Sequence, residues 1–251
     1  MNAYERKIAI VKMLEKDEKV QINSLAEQFN VTRVTIRTDL DDLEKRGLLV
    51  RTHGGAVPAE NKQIIRLISK TIHEREKEKE SIAHAASKLV KPGSTVMIDS
   101  GSTTSFLPRF LSNIKLTVVT NSLIVMQELS GAANIELLVS GGALRRFSMA
   151  LIGETSKFFF SQINAEILFL GATSVSMEKG VTCSNLLEAA TKKNMIESCE
   201  KICLLVDSSK FGKVSMAHIC DWENIDTLIT DSISEKDKFF LSDIGVEVII
   251  S

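Results

Sequence analysis

The 251-residue sequence predicts an α/β chain of two unequal parts: a small helical head that ends in a β-hairpin, and a larger domain built on an open, mainly parallel sheet. Three observations predict it. As far as Gly47 the apolar residues recur at helical spacing. From residue 94 onward short apolar runs alternate with helical stretches, the pattern of parallel strands joined by crossover helices. Between them lies a glycine-poor segment rich in charges of both signs, which reads as a helical connector. The expected divisions are 1–58, 59–78 and 79–251.

In the head, residues 4–16 place Ile8, Val11 and Leu14 on one helical face, and residues 22–29 do the same with Leu25, Ala26 and Phe29. A short Asn30-Val31 connection leads to Thr32, a hydroxyl residue where a helix N-cap belongs. Val34, Ile36, Leu40 and Leu43 then follow at helical spacing and are expected in the core, leaving Arg33, Thr35, Arg37 and Thr38 outward near the helix start. Side chains of this kind suit a major groove, where Arg bonds guanine edges and Thr meets a phosphate or a thymine methyl. Beyond Gly47 the strand-like Leu48-Leu49-Val50 runs through Arg51, Thr52 and His53 to Gly54-Gly55, which turns the chain back along Ala56-Val57. Three helices and a basic hairpin imply binding of double-stranded DNA through Thr32, Arg33, Thr35, Arg37, Thr38, Arg51 and His53. Asp39 is expected to be structural, since an exposed acid there would repel the DNA backbone.

Residues 5–57 resemble the winged helix-turn-helix of the DeoR family of bacterial transcription regulators. The resemblance lies in Glu5-Arg6, Leu25-Ala26, Phe29, Val31-Thr32, Thr35-Ile36-Arg37, Asp39-Leu40, Leu43, Gly47 and Arg51 to Ala56. The family commonly has a second arginine before the aspartate, where this chain has Thr38.

Composition constrains the rest. Net charge is −1, and residues 1–60 hold ten Lys/Arg against ten Asp/Glu, so DNA affinity cannot come from bulk positive charge. It calls for a homo-oligomer, a dimer or tetramer, whose heads read half-sites spaced by roughly 34 Å or a multiple. No apolar run approaches the roughly 20 residues of a membrane span, and no leader pattern opens the chain, so a cytoplasmic protein without a membrane partner is expected. Cys183, Cys199, Cys203 and Cys220 form no CxxC pair and read as reduced core thiols, although the spacing of Cys199 and Cys203 would place both on one face of a helix. His73, His84 and His218 suggest neither metal nor catalytic dyad, and no metal or cofactor is expected. In the connector the charges alternate in sign, as on a solvated helix face; residues 79–90, with Ile82, Ala83, Ala86, Leu89 and Val90, begin the second core.

The strand candidates are Thr95 to Ile98, Leu116 to Val119, Ile135 to Val139, Ile167 to Leu170, Ile202 to Val206, Thr227 to Ile229 and Val246 to Ile250. In open α/β sheets ligands sit at the carboxyl ends of the strands. After the first comes Asp99-Ser100-Gly101-Ser102-Thr103-Thr104, placed before a helix containing Phe106, Leu107 and Phe110. A glycine for close approach, hydroxyl donors and a helix start suit a phosphate, although such residues also simply cap helices. Thr120-Asn121-Ser122 and Ser140-Gly141-Gly142 follow the next two strands, so three successive strand ends offer small hydrogen-bonding groups to one crevice.

These loops, with Lys79, Ile82-Ala83, Gly153, Gly171, Gly180, Asn185, Glu188, Lys192, Met195-Ile196, Asp207 to Gly212 and Ile229-Thr230-Asp231, extend the DeoR-family resemblance over nearly the whole chain. The family's sensor domain is similar to ribose-5-phosphate isomerase and glucosamine-6-phosphate deaminase. The resemblance implies a sensor of a phosphorylated sugar or polyol, with Asp99, Ser100 and Gly101 in the loop and Ser102, Thr103 and Thr104 toward the phosphate. Asn121, Ser140, Gly141, Glu188, Lys192 and Lys210 are candidates for the remaining wall. Glu188 and Lys192, four apart on an expected helix, equally fit a surface ion pair. Where the family usually has Gly-Ile-Asp this chain has Ser174-Val175-Ser176, which removes a candidate general base and favours sensing over catalysis. Two functions are implied: a regulator, a repressor of a sugar or polyol operon released by its phosphorylated effector, or a sugar-phosphate isomerase or deaminase carrying a DNA-binding head.

Overall fold

The computed structural model describes residues 3–17, 19–45, 48–52, 54–58 and 68–251, and the chain divides into two compact units, Met1–Ile64 and Ile65–Ser251. His53 and Gly47, as well as the first part of the expected connector, lie outside the described residues.

The first unit runs α1 (Ala3–Asp17), β1 (Val20–Gln21), α2 (Ile22–Phe29), α3 (Arg33–Lys45), β2 (Leu49–Thr52) and β3 (Gly55–Pro58). Its core joins Ile10 and Leu14 of α1, Leu25 of α2 and Ile36, Leu40 and Leu43 of α3 to Leu49 and Ala56 of the hairpin. Two expectations fail. Val34 is 68% exposed and Ile8 41%, because the buried stripes run through Ile36, Leu40 and Leu43 and through Ile10 and Leu14, which put Val34 and Ile8 on the other side of their helices. Asn30 adopts the left-handed conformation that ends α2. Strands β2 and β3 pair antiparallel with Thr52 opposite Gly55, and β1 adds to β3. Gly55 is required there, since a Cβ would lie 1.8 Å from the Val20 carbonyl oxygen.

The second unit opens with α4 (Ile68–Thr71) and α5 (Glu76–Ser87), then β4 (Thr95–Ile98), α6 (Pro108–Leu111), β5 (Leu116–Thr120), α7 (Leu123–Leu129) and β6 (Ile135–Val139). Next come a hairpin of β7 (Ala143–Arg145) and β8 (Ala150–Ile152), then α8 (Glu154–Phe160), β9 (Ala165–Gly171), β10 (Ser174–Ser176), β11 (Gly180–Cys183) and α9 (Leu186–Glu197). The chain finishes with β12 (Cys199–Leu205), β13 (Ala217–Cys220), β14 (Thr227–Thr230), α10 (Glu235–Asp243) and β15 (Glu247–Ile250).

A seven-stranded sheet in the order β15-β14-β12-β9-β4-β5-β6 is parallel throughout, and each of its strands coincides with an apolar run of the sequence. Successive residues alternate between two cores. Val96, Ile98, Val118, Phe169 and Leu205 pack with α5, α6 and α7, while Met97, Val119, Leu168, Leu204 and Leu228 pack with α8, α9 and the small antiparallel sheet β10-β11-β13. Cys199 and Cys203 sit on strand β12, not a helix; Cys203 follows the alternation into the core of α5, α6 and α7, whereas Cys199, at the first residue of the strand, packs against the other core. All four cysteines are free thiols. The charge-rich stretch departs from a simple solvated helix, since Arg75 takes a left-handed conformation between α4 and α5 and Lys79 is buried with its amine on the Thr71 carbonyl. Among the described residues no helix is long and apolar enough to cross a membrane.

Candidate functional site

Two surfaces carry the chemistry. On α3, Thr32 caps the helix by accepting from the Thr35 N–H at 3.2 Å, and the Thr32 and Thr35 hydroxyls lie 2.9 Å apart. Arg33, Arg37 and Thr38 are exposed, although the Thr38 hydroxyl donates back to the Val34 carbonyl. Val34 shares the exposed face. Sequence periodicity missed it by counting it into the core. Arg51 of the hairpin is committed within the head: its guanidinium donates to the Arg37 carbonyl at 3.2 Å and pairs with Asp41, while its N–H donates to Glu44 at 2.8 Å. Those contacts turn Asp41 and Glu44 toward the hairpin, while Asp42 pairs with Lys7 of α1. Asp39 is buried against Arg6 of α1, a structural pair.

The second surface lies where the sheet changes direction. From β4 the chain proceeds outward through β5 and β6, then returns to β9 on the other side, so the carboxyl ends of β4 and β9 form the topological switch point. Asp99 comes directly after β4 and is fully buried. Its Oδ2 accepts from the Gly171 N–H at 2.9 Å and from the Lys192 ammonium, which also donates to the Gly171 carbonyl at 3.1 Å. Gly101 and Gly171 stand back to back; a Cβ on Gly171 would come within 3.3 Å of both the Gly101 Cα and the Asp99 carboxylate. Burial works against the charge of Lys192, but Asp99 first, then Cys183 and Glu188, hold the ammonium above its ordinary range. Burial likewise pushes the Cys183 thiol up, against the pull of Lys192.

In the loop after β4, Gly101 and Ser102 are half-buried and reach the surface, while Ser100, Thr103 and Thr104 are buried. The Thr104 hydroxyl is spent inside the loop: it accepts from the Gly101 N–H at 2.8 Å and lies 2.6 Å from the Asp99 carbonyl as donor. The loop leads into a single 3-10 turn, Thr104–Phe106, and the four-residue α6, so the expected helix is too short for much of a dipole. Asn121 is buried and donates to the Leu151 carbonyl at 3.3 Å. Ser140 faces Ser156 of α8 at 3.4 Å, and Ser156 bonds the Gly141 carbonyl, which braces that loop.

Glu188 and Lys192 are both buried and do not pair with each other. Each has another partner: Lys192 takes Asp99, and Glu188 lies 3.2 Å from Arg145 of the β7–β8 hairpin. Arg145, absent from the sequence-based candidates, thus enters the site; two arginines just beyond the Gly-Gly loop were its only trace in the sequence. Lys210 is half-buried in the turn Ser208–Lys210, where Ser208 bonds Asp231 and Ser209 bonds Asp207. Ser174 faces Ser215 at 3.0 Å and the Ser176 carbonyl accepts from Trp222, so neither supplies a carboxylate. A surface recess of about 470 Å3 lined by Glu154, Lys157, Asn164 and Ser198 opens instead at the amino ends of β9 and β12, away from the end where parallel sheets hold ligands.

A capped helix that exposes Arg33 and Arg37 beside a β-hairpin in one unit and a switch-point crevice in the other define a DNA-binding transcription regulator with a sensor domain. Known proteins agree. Residues 6–62 match the DeoR-like helix-turn-helix domain and residues 74–232 the DeoR C terminal sensor domain. The chain belongs to the DeoR family of transcriptional regulators. It is 34% identical over 252 residues to a putative aga operon transcriptional repressor of Escherichia coli O157:H7, covering 98% of this chain and 93% of that one. It is 30% identical over 243 residues to the lactose phosphotransferase system repressor of Staphylococcus epidermidis, covering 95% and 96%. Among solved structures, ribose 5-phosphate isomerase A of Methanocaldococcus jannaschii aligns over 55% of each chain at 20% identity and a TM-score of 0.39.

Proposed function

We propose that this chain represses an operon for sugar or polyol use, and that a phosphorylated sugar or polyol bound at the carboxyl ends of the parallel strands lowers its affinity for the operator. The observation that carries the reading is the Asp99–Lys192 pair at the switch point. An unpaired carboxylate beside the Gly101–Ser102 loop would repel a phosphate; Lys192 neutralises it, so the loop N–H groups and hydroxyls can act on an anion. The names of the two repressors above support the sign of regulation and the kind of operon.

Heads with no net positive charge need to bind as a set, so the protein acts as a dimer or tetramer on repeated half-sites. Arg33 and Arg37, with Thr32, Thr35, Thr38 and Val34, face the major groove; Arg51 fixes the hairpin against the helix. The effector acts because it binds the state of low operator affinity more tightly, since a ligand indifferent to the two states would shift nothing.

Sensing is favoured over turnover because Ser176 stands where an acid would be needed and Asp99 is already engaged. The test is a thermal-shift screen of phosphorylated sugars and polyols, then operator binding with each hit. A compound that raises the melting temperature and releases operator DNA is expected. Stabilisation without release, or conversion of an aldose phosphate to product, would overturn the reading.

A further inference from the structure

Buried polar atoms without a hydrogen-bond partner are rare, because each gives up bonds it had in water. Among the described residues of the second unit four side-chain atoms are in that position: Asp99 Oδ1, Asn121 Oδ1, Arg145 Nε and Ser148 Oγ. They belong to one region. Leu151 N donates to the Asn121 carbonyl at 2.8 Å and Asn121 Nδ2 donates to the Leu151 carbonyl, which also fixes which end of the amide is the oxygen. Arg145 stands opposite Ala150 in the hairpin register, and Ala150 bridges Ser122 in turn, so Arg145 is two strand spacings, roughly 10 Å, from the end of β5. The side chain of Arg145 is 12% exposed and that of Glu188 9%; they form an ion pair without the alignment of a hydrogen bond at Nε. Glu188 is one helical turn before Lys192, which closes the circle at Asp99.

The mixture of unused groups identifies what they would bind. There are two acceptors and one hydroxyl without a hydrogen bond, and one N–H donor that lies 3.2 Å from the Glu188 carboxylate without a hydrogen bond's alignment. A phosphate presents acceptors and would be opposed by the Asp99 and Asn121 oxygens. A hydroxyl both donates and accepts, and a chain of hydroxyls matches the set.

We propose that the β7–β8 hairpin forms part of the effector site, with Arg145 and Ser148, together with Asn121, reading the hydroxyl-bearing portion of the ligand whose phosphate lies at the Ser100 to Thr104 loop. This rests on the phosphorylated sugar or polyol reading above. The hairpin has a second attachment. Its turn residue Phe147 accepts from the Ile68 N–H at 2.8 Å, so a change in the seating of Arg145 reaches the first described residue after the 59–67 segment.

The test compares wild type with Arg145→Gln and Ser148→Ala, using thermal shift with ribose 5-phosphate, glucitol 6-phosphate and inorganic phosphate. A phosphorylated polyhydroxyl probe should stabilise the wild type more than inorganic phosphate does. Each variant should bind that probe at least about tenfold more weakly, as expected for a lost bond to a hydroxyl or charged group, with the inorganic phosphate response unchanged. Ser148→Ala removes one atom and keeps the test valid should Arg145→Gln unfold. Wild-type affinity in both variants would overturn the hairpin proposal and leave the effector reading standing. No response of the wild type to either phosphorylated probe would overturn the effector reading, and the hairpin proposal with it.

Discussion

Arg6 of α1 donates to Asp39 of α3 at 2.5 Å, both side chains being buried, so the helix proposed to face DNA is anchored by charge to the first helix of the chain. Removing one partner leaves the other charged, buried and unpaired. Asp39→Ala should cost the head about 3–5 kcal/mol and abolish operator binding, with effector binding in the other unit retained. Urea unfolding of the variant, read beside its ligand-induced thermal shift, checks both halves. Replacing the two partners together, Arg6→Met with Asp39→Leu, should recover much of the lost stability.

The three arginines of the DNA surface should behave differently. Arg33 and Arg37 are exposed, and Arg37→Ala should weaken operator binding by about 1–3 kcal/mol and relax base preference. Arg51 already bonds the Arg37 carbonyl and Asp41, so Arg51→Ala should loosen the hairpin and lower affinity with little change in salt dependence. Binding isotherms across a salt series separate the cases. A full unit lost from the salt slope on Arg51→Ala would show a phosphate contact instead.

Lys192 gives a pH prediction. Its folded pKa lies above the ordinary 10.5, so its contribution to stability is complete below pH 10.5 and is lost as pH rises through the folded value. Lys192→Met should therefore lower stability at neutral pH and flatten the stability curve above pH 10.5 relative to wild type. Chemical denaturation of both proteins between pH 7 and pH 12 measures the difference.

Within the loop after β4, position separates scaffold from contact. Thr104→Val removes the hydroxyl that ties Gly101 to Asp99 and should cost about 1–3 kcal/mol of stability. Ser102→Ala, at the half-buried tip, should leave the melting temperature unchanged and weaken effector response. Equal effects of the two on melting would place Ser102 in the scaffold as well.

Thiol chemistry offers a further check. Burial pushes Cys199 and Cys220 up to about 12, so neither carries appreciable thiolate near neutral pH. The folded protein should react slowly with Ellman's reagent at pH 8 and should release all four thiols in denaturant.

The parallel sheet was legible in the sequence because its strands are buried on both faces and so appear as continuous apolar runs. The same property hid the rest. Strands β7, β8, β10 and β11 span only three or four residues, and Leu144 is exposed, so no run or alternation marks them. Val34 fitted a helical count but missed the buried stripe by two residues. Lys79 sat in a run of charges, yet is buried. At the crevice, Asp99, Asn121 and Lys192 could be named from strand ends and resemblance, whereas Arg145 depends on a hairpin folding back to Glu188 across the chain, which local pattern does not encode.

Asp99 and Lys192 are 93 residues apart, and Gly171 must lie between them before either is satisfied. On the ribosome the amino-terminal helices and their hairpin emerge complete while β4 still waits for the strand it leans on. The nascent polypeptide thus completes its helical head before the buried charge of Asp99 has a counterion, and any product cut short of α9 would lack Lys192 and, on the function proposed above, would be deaf to its metabolite.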